Sequence, residues 1–318
     1  YDETYRPSSD ELPDPQVEPV LVGARIPIRK VGIAPVDLPI RALRRDGTEQ
    51  VLQAKASLYC SLDDPNAKGL NLSRLYLLMH DKIKDHLTIE GIRDALKELA
   101  DKQGSSNAYC KLRFLYPWTQ KSLRSQDANG KPLEGHIAYN VEIEGRYHKG
   151  RGDKMAGRKG LMHDYRFFMH VDYIYSSTCP CSFELAKTAE EQRKAAANAH
   201  SQRSKLGVTV EFDPTDPLAP TIEDVVELCR ATIPTEVQVV VKRVDEQAFA
   251  ELNGSNLVFS EDVCRLMYEA LADWATAKGG WRISDFNIVV SHEESLHPWN
   301  AIAVTSFNDP LESEQPLQ

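Results

Sequence analysis

The sequence predicts an α+β protein, in which antiparallel strands form a sheet and helices cover one of its faces. Segments that alternate apolar and polar residues, the period of a half-exposed strand, recur along the chain. Other segments carry apolar residues at helical spacing in both halves. The strands come in runs instead of alternating singly with helices, which favours antiparallel pairing over a doubly wound parallel sheet.

In the first half, the pattern predicts strands on both sides of one clear helix. Thr88 is predicted to cap this helix, whose residues Ile92, Leu96 and Leu99 share one face. Residues 117–135 are rich in Gln, Ser, Asn and Gly, which predicts a loop or hairpin end, and the basic, glycine-containing residues 148–159 predict a mobile loop. Strands are predicted at residues 51–62, 108–116 and 139–143.

The second half repeats this plan around two further helices. Thr221 and Ser260 are predicted to cap them, and the second is predicted to stop at Gly279-Gly280. Residues 184–197 are helical by composition. Strands are predicted at residues 167–175, 208–212, 237–242, 286–290 and 301–307. The similar order in the two halves suggests a duplicated module, split near residues 155–160.

Composition excludes several classes of protein. The 318 residues are 42% hydrophobic and carry a net charge of −9, which indicates a globular chain and argues against a nucleic-acid binder. The chain has neither an apolar run of about 20 residues nor a signal peptide, so we expect a cytoplasmic protein that does not enter a membrane. Residues 1–24 are acidic and rich in proline, which predicts an extended arm. Phosphate-loop, dinucleotide-binding, HExxH and GxSxG motifs do not occur, which weighs against the corresponding enzymes.

The six cysteines fall into two groups. Four stand alone in apolar or amphipathic stretches and are expected to be small buried residues: Cys60, Cys110, Cys229 and Cys264. Cys179 and Cys181 instead flank Pro180 at the end of a predicted strand, too close for an easy disulfide. In a reducing compartment, this arrangement indicates a metal ligand or a reactive thiol.

Polar residues of the second half gather where predicted elements begin or end. These are Cys179, His200, Glu246, Glu261, Glu294 and His297. Strand ends at one edge of a sheet converge, and a thiolate, an imidazole and a carboxylate form a three-ligand site that leaves a position open for water. Each residue also has an ordinary explanation, such as the helix dipole for Glu261 or an i,i+3 surface pair for Glu294 and His297. The residues alone predict a metal-dependent enzyme whose reaction they do not specify.

Six ordered segments between residues 68 and 300 together resemble GTP cyclohydrolase type IB. They are Lys68-Gly69-Leu70-Asn71-Leu72-Ser73-Arg74, Ser177-Thr178-Cys179-Pro180-Cys181-Ser182, Ala199-His200-Ser201-Gln202-Arg203-Ser204, Lys242-Arg243-Val244-Asp245-Glu246, Phe259-Ser260-Glu261-Asp262 and Glu294-Ser295-Leu296-His297-Pro298. The resemblance implies a tunnelling fold with two tandem modules, placed here at residues 25–158 and 159–318. It also implies a homotetramer with active sites between subunits.

The implied reaction converts GTP and water to formate and 7,8-dihydroneopterin triphosphate, the first step toward tetrahydrofolate. The resemblance implies one divalent metal ion per active site, with Mn, Zn and Fe all suited to its ligands. Two alternatives stay open: a related cyclohydrolase that gives a cyclic-phosphate dihydroneopterin, and a non-catalytic purine-binding protein of the same fold.

The resemblance also assigns roles to individual residues. It implies Cys179, His200 and Glu246 as metal ligands, and Glu261 as the carboxylate that binds the guanine edge. It implies Glu294 and His297 as an acid/base pair, with Cys181 as a nearby thiol. We add Arg74 and Arg203 as candidates for the triphosphate, because each lies in a matching segment and guanidinium suits phosphate oxygens. Residues 183–197 make the interval between Cys179 and His200 longer than the family leads us to expect, which predicts an extra helical piece beside the site.

Overall fold

A computed structural model describes residues 2–8, 22–83, 88–150, 164–276 and 283–308, which form one eight-stranded antiparallel sheet and six helices. The strands pair in chain order, from β1 at one edge to β8 at the other. They are β1 (Ile28–Leu43), β2 (Glu49–Leu62), β3 (Asn107–Gln126), β4 (Pro132–His148), β5 (Tyr165–Thr178), β6 (Ser201–Phe212), β7 (Ile283–His292) and β8 (Ala301–Ser306). The antiparallel α+β prediction is confirmed.

The helices fill the connections between pairs of strands. They are α1 (Leu72–Ile83) and α2 (Ile89–Gln103) after β2, α3 (Pro180–Arg193) after β5, and α4 (Ile222–Thr232), α5 (Arg243–Ser255) and α6 (Ser260–Thr276) after β6. Each half therefore contains two strands, a helical segment and two strands, and the second half has α3 in addition, between its first two strands. The exact module limits stay a prediction, because the proposed division at residue 158 lies outside the described residues, as does most of the N-terminal arm.

The strand register places the core on one face of the sheet. Gly145 of β4 lies against Ile92 and Leu96 of α2, and it pairs with Phe167 of β5. The same row continues through Phe212 and Val210 of β6 to Phe286 of β7, whose ring contacts Tyr268 of α6. Because directly opposite residues share a face, α2 and α6 cover the same side of the sheet. We call it the helix face, and the other side the open face.

Charged residues alternate with the core residues and occupy the open face. Arg166 of β5 bonds Glu211 of β6 at 2.7 Å, and Asp172 accepts a hydrogen bond from His170 at 3.0 Å. Glu211 is only 1% exposed, so its charge is compensated within the sheet by the guanidinium. The period-2 pattern thus separates an apolar layer under the helices from an ion-paired layer.

Residues 117–135 form the predicted hairpin end, in which β3 continues to Gln126 and β4 begins at Pro132. Two of our predictions about elements are wrong. Residues 237–242 are not a strand: the Gln120 side chain bonds the carbonyl of Val237 at 2.8 Å and the N–H of Val239 at 3.0 Å, in place of a neighbouring strand. The charged run that follows is the start of α5, so Glu246 lies in a helix and not at a strand end.

The other predicted elements agree with the structure where they are described. Thr88 and Thr221 cap α2 and α4, and the predicted piece after the Cys-Pro-Cys turn is α3. α6 begins at Ser260, but the predicted cap is wrong: Phe259 has the cap position, since its carbonyl accepts from the N–H of Val263 at 3.1 Å, and the Ser260 hydroxyl donates to Glu261. The four isolated cysteines are buried. The predicted stop at Gly279-Gly280 and most of the basic loop after His148 lie outside the described residues.

Candidate functional site

The ends of β5 and β6 bring Cys179 and His200 together. Thr178 pairs with Ser201, so the next residues outward along the two antiparallel strands are Cys179 and His200. Cys179 is the N-cap residue of α3, and its side chain makes no capping hydrogen bond. The backbone N–H of His200 donates to Ser182 Oγ of α3 at 3.1 Å, which ties the helix to the second strand. Two predicted metal ligands are therefore neighbours.

Glu294 lies beside His200. Its Oε2 is 3.7 Å from His200 Nδ1, and the two side chains are 12% and 19% exposed. The N–H of Glu293 donates to the carbonyl of Arg203 at 3.1 Å. This hydrogen bond holds the segment that follows β7 against β6. A thiol, an imidazole and a carboxylate thus gather at one end of the second half of the sheet.

Gln202, which we did not predict as a site residue, connects this group to buried hydroxyls. Its amide bonds His200 Nδ1 at 3.0 Å, Glu294 Oε1 at 3.3 Å and Ser177 Oγ at 3.0 Å. Ser177 Oγ is also 2.8 Å from Ser204 Oγ and 3.3 Å from His292 Nδ1. We name Cys179, His200, Glu294, Gln202, Ser177 and His292 the strand-end cluster. Gln202 was within a matching segment, but a glutamine carries no charge or metal preference that would single it out.

His292 forms the buried end of the cluster. Its Nε2 is 2.8 Å from the Tyr175 hydroxyl, and burial lowers the pKa of His292 to about 4. The negative charge of Glu261, in the first turn of α6, acts in the opposite direction and raises the pKa of His292, but burial has the larger effect. Glu261 itself is exposed and accepts a hydrogen bond from Ser260 Oγ at 3.0 Å.

The remaining predicted site residues lie outside the cluster. Cys181 is exposed in the first turn of α3, and His297 is exposed and stacks on Trp299 with 4.8 Å between ring centroids. Arg203 is exposed, and the alternation of β6 directs it to the open face, away from Gln202. Arg74 is exposed on α1 in the first half.

Glu246 is exposed in the first turn of α5. That turn is held against β3 by Asp245, whose carboxylate accepts hydrogen bonds from the backbone N–H groups of Arg124 at 2.7 Å and Ser125 at 2.9 Å. Over the described parts of the chain, no three His, Cys, Asp or Glu side chains are arranged to hold one metal ion. The structure therefore brings Cys179 and His200 together but does not add Glu246 to them.

None of the helices in the described ranges combines the length and apolarity that a bilayer crossing requires. Among solved structures, uricase from Arthrobacter globiformis aligns over 93% of this chain and 97% of its own, with a TM-score of 0.50 and 9% sequence identity. At this identity the likeness concerns the fold alone, and it confirms the tunnelling fold.

Sequence comparison gives a closer relationship. GTP cyclohydrolase FolE2 from Cereibacter sphaeroides (strain ATCC 17025 / ATH 2.4.3) is 38% identical over 98% of this chain and 79% of its own length. The proteins of that name from Ruegeria pomeroyi and Paracoccus denitrificans are 39% and 38% identical, over 95% of this chain in each case and over 75% and 85% of their own lengths. The type I GTP cyclohydrolase folE2 family matches residues 12–303, and this chain belongs to that family.

Proposed function

We propose that this protein is a metal-dependent enzyme that converts GTP and water to formate and 7,8-dihydroneopterin triphosphate, the first step toward tetrahydrofolate. The observation that carries the proposal is the strand-end cluster, in which Cys179 and His200 are neighbours and Glu294 lies beside His200. A binding protein of this fold would have no need of a thiol, an imidazole and a carboxylate at one place. Membership of the FolE2 family supports the same reaction.

The donor groups of the cluster suit a divalent metal ion. The Cys179 thiol makes no capping hydrogen bond, and His200 uses only Nδ1 toward Gln202, which leaves Nε2 for an ion. We propose Glu246 as the third ligand, since its carboxylate is exposed at the start of α5. A set of one thiolate, one imidazole and one carboxylate suits Mn²⁺, Zn²⁺ and Fe²⁺. When bound, such an ion lowers the pKa of water from 15.7 to about 7 and so supplies a nucleophile for C8 of guanine.

The other predicted residues then bind the substrate and move protons. Glu261 would accept two N–H groups of the guanine edge, a pattern that adenine does not offer. Glu294 and His297 would hold and transfer the protons that ring opening requires, and an imidazole is suited to this near neutral pH. Arg74 and Arg203 would bind the triphosphate, and Cys181 is a nearby thiol. Because several of these side chains are exposed in one chain, we propose a homotetramer whose active sites lie between subunits.

The test is incubation of the purified protein with GTP and Mn²⁺, Zn²⁺ or Fe²⁺. We expect release of formate and a pterin that fluoresces after oxidation. The mass of the product distinguishes the triphosphate from a cyclic phosphate. GTP that is bound but stays intact with every metal would instead indicate a non-catalytic purine-binding protein and would overturn the proposal.

The variant Cys179→Ala tests the metal site directly. We expect turnover to be lost and metal retention to fall, because a ligand is removed. Ser201→Ala is a matched control: Ser201 bonds Thr178 at 2.6 Å on the opposite face of β6, so this variant should keep both properties. Full activity in Cys179→Ala would show that Cys179 is not a ligand.

A further inference from the structure

The Gln202 side chain lies between His200 and Glu294 and is itself buried, with 7% of the residue exposed. It is the one group in the strand-end cluster that contacts both of these residues and Ser177. The amide oxygen accepts hydrogen bonds and the amide nitrogen donates them. The orientation of the amide therefore decides whether each neighbouring atom acts as a donor or as an acceptor.

The neighbours fix the orientation of this amide. An ionised Glu294 can only accept hydrogen bonds, so the amide nitrogen of Gln202 faces it, at 3.3 Å from Oε1. The amide oxygen then faces His200 at 3.0 Å, and because that oxygen can only accept, His200 must carry its proton on Nδ1. The lone pair of a neutral His200 is therefore on Nε2.

The far side of the amide is anchored. The nitrogen of Gln202 also donates to Ser177 Oγ at 3.0 Å, and Ser177 is fully buried between Ser204 and His292. Rotating the amide by half a turn would place its oxygen next to the Glu294 carboxylate. Neither of these oxygens carries a proton, so they could not form a hydrogen bond. The Glu294 carboxylate therefore sets the orientation of the amide, and the Ser177 hydroxyl accepts from the amide nitrogen in that orientation.

We propose that Gln202 is a positioning residue that holds the proton of His200 on Nδ1, keeps Nε2 free as a ligand atom, and orients the Glu294 carboxylate. This inference rests on the proposed function for its purpose, since a fixed tautomer matters when Nε2 must bind a metal ion. The geometry that carries it involves only this chain's own side chains.

The test compares the metal-free parent protein with Gln202→Met and Gln202→Glu. The ¹⁵N resonances of the His200 ring report which nitrogen carries the proton, at a pH where the ring is neutral. We expect the Nδ1–H form in the parent and a shift toward Nε2–H in Gln202→Met, which has no acceptor. Gln202→Glu keeps an oxygen at the same place, so it should keep Nδ1–H while it loses the donor to Glu294.

Metal affinity provides a second readout, measured by competition with a chelator. We expect about 10- to 100-fold weaker binding in Gln202→Met, the usual effect of losing the partner that orients a metal-bound histidine. Gln202→Glu should bind the metal more tightly than Gln202→Met but turn over more slowly than the parent, because a second carboxylate faces Glu294. Ser201→Ala, on the opposite face of the same strand, should leave all readouts unchanged.

Two results would overturn the inference. An Nε2–H ring in the parent would do so without any variant, even if Gln202→Met fails to fold. Unchanged tautomer and metal affinity in a folded Gln202→Met would do so as well. Failure of the proposed function is distinguishable, because it would appear as absent formate release by the parent, whereas the tautomer is measured without metal or GTP.

Discussion

Several side chains of the strand-end cluster are polar and yet almost completely buried. Ser177 and Ser204 are fully buried, and His292 is 3% exposed, so their hydrogen bonds replace those that water would make. Of these groups, His292 alone carries an imidazole, whose unperturbed pKa is about 6.5. Its protonation therefore reports on the integrity of the cluster.

Burial lowers the pKa of His292 to about 4, against about 6.5 for an unperturbed histidine. The unfolded chain thus binds this proton at higher pH than the folded protein, and stability is lost as the pH falls from about 6.5 to about 4. The contribution to the free energy of unfolding is about 3 kcal/mol across that window. In chemical unfolding experiments, we expect the free energy of unfolding of His292→Gln to fall less between pH 7 and pH 4 than that of the parent. The two decreases should differ by roughly this amount. Equal losses in the two proteins would show that His292 is not buried in its neutral form.

Glu261 provides a residue-scale test of substrate recognition. Glu261→Gln removes the charge and one acceptor from the proposed guanine contact, and charge-assisted hydrogen bonds contribute about 1.5–3 kcal/mol, so we expect kcat/KM to fall about 10- to 100-fold. The loss should appear mainly in KM, and metal retention should not change. Asp262→Asn is the matched control, because Asp262 accepts from the N–H of Phe259 at 3.1 Å and an amide oxygen can do the same. Parent-like kinetics in Glu261→Gln would place the guanine contact elsewhere.

The sequence identified site residues with distinctive chemistry but did not identify the residues that hold them in place. Cys179, His200 and Glu294 stood out because thiols, imidazoles and carboxylates at element ends suggest a site, and the structure brings them together. Gln202, Ser177 and His292 did not stand out, because an amide, a hydroxyl and a histidine inside strands have many ordinary uses. Their role follows from cross-strand register, which a single sequence does not specify.

At the scale of elements, the starts of α2 and α4, each capped by a threonine, were the most predictable features. Thr221 Oγ1 accepts from the N–H of Asp224 at 3.2 Å, and Asp224 Oδ2 accepts from the N–H of Thr221 at 2.8 Å, a reciprocal cap at the start of α4. Such pairs are local in sequence, so the pattern alone reveals them. The cap also has a measurable contribution to stability.

We expect Thr221→Ala to lower the free energy of unfolding by about 1 kcal/mol, because one N–H at the helix start loses its acceptor. Thr221→Ser keeps a hydroxyl at that place and should cost clearly less. Chemical unfolding of the three proteins at one pH measures both effects. Equal stability of the alanine variant and the parent would show that water replaces the threonine hydroxyl as the acceptor without any loss of stability.

Elements that depend on distant contacts were missed. β1 contains Pro35 and Pro39, which argue against a strand, yet it lies at the edge of the sheet, where a residue without an N–H is tolerated. Residues 237–242 have the composition of a strand, but Gln120 occupies the hydrogen-bonding groups that a neighbouring strand would need. In both cases tertiary position decided the outcome and local propensity did not.

Across the whole molecule, the two halves present different parts of the proposed site. α1 packs on β1 and β2, whereas Cys179 follows β5, three strands further along the sheet. With strands about 4.8 Å apart, this separates the two regions by about 14 Å within the sheet alone. In keeping with this separation, we propose that the triphosphate of a GTP held near Cys179 is bound by Arg74 of a neighbouring copy of the chain.

This proposal gives a prediction about assembly. We expect light scattering to report four chains per particle, and we expect mixed tetramers of Arg74→Ala and Cys179→Ala chains to regain activity that each variant lacks. With random mixing, about a quarter of the sites would combine an intact Arg74 from one chain with an intact Cys179 from another.

Mixing Cys179→Ala with His200→Ala is the control: these residues are neighbours at the ends of β5 and β6 in one chain, so every mixed site stays defective. If chains exchange and the first mixture stays inactive, Arg74 does not act across the interface.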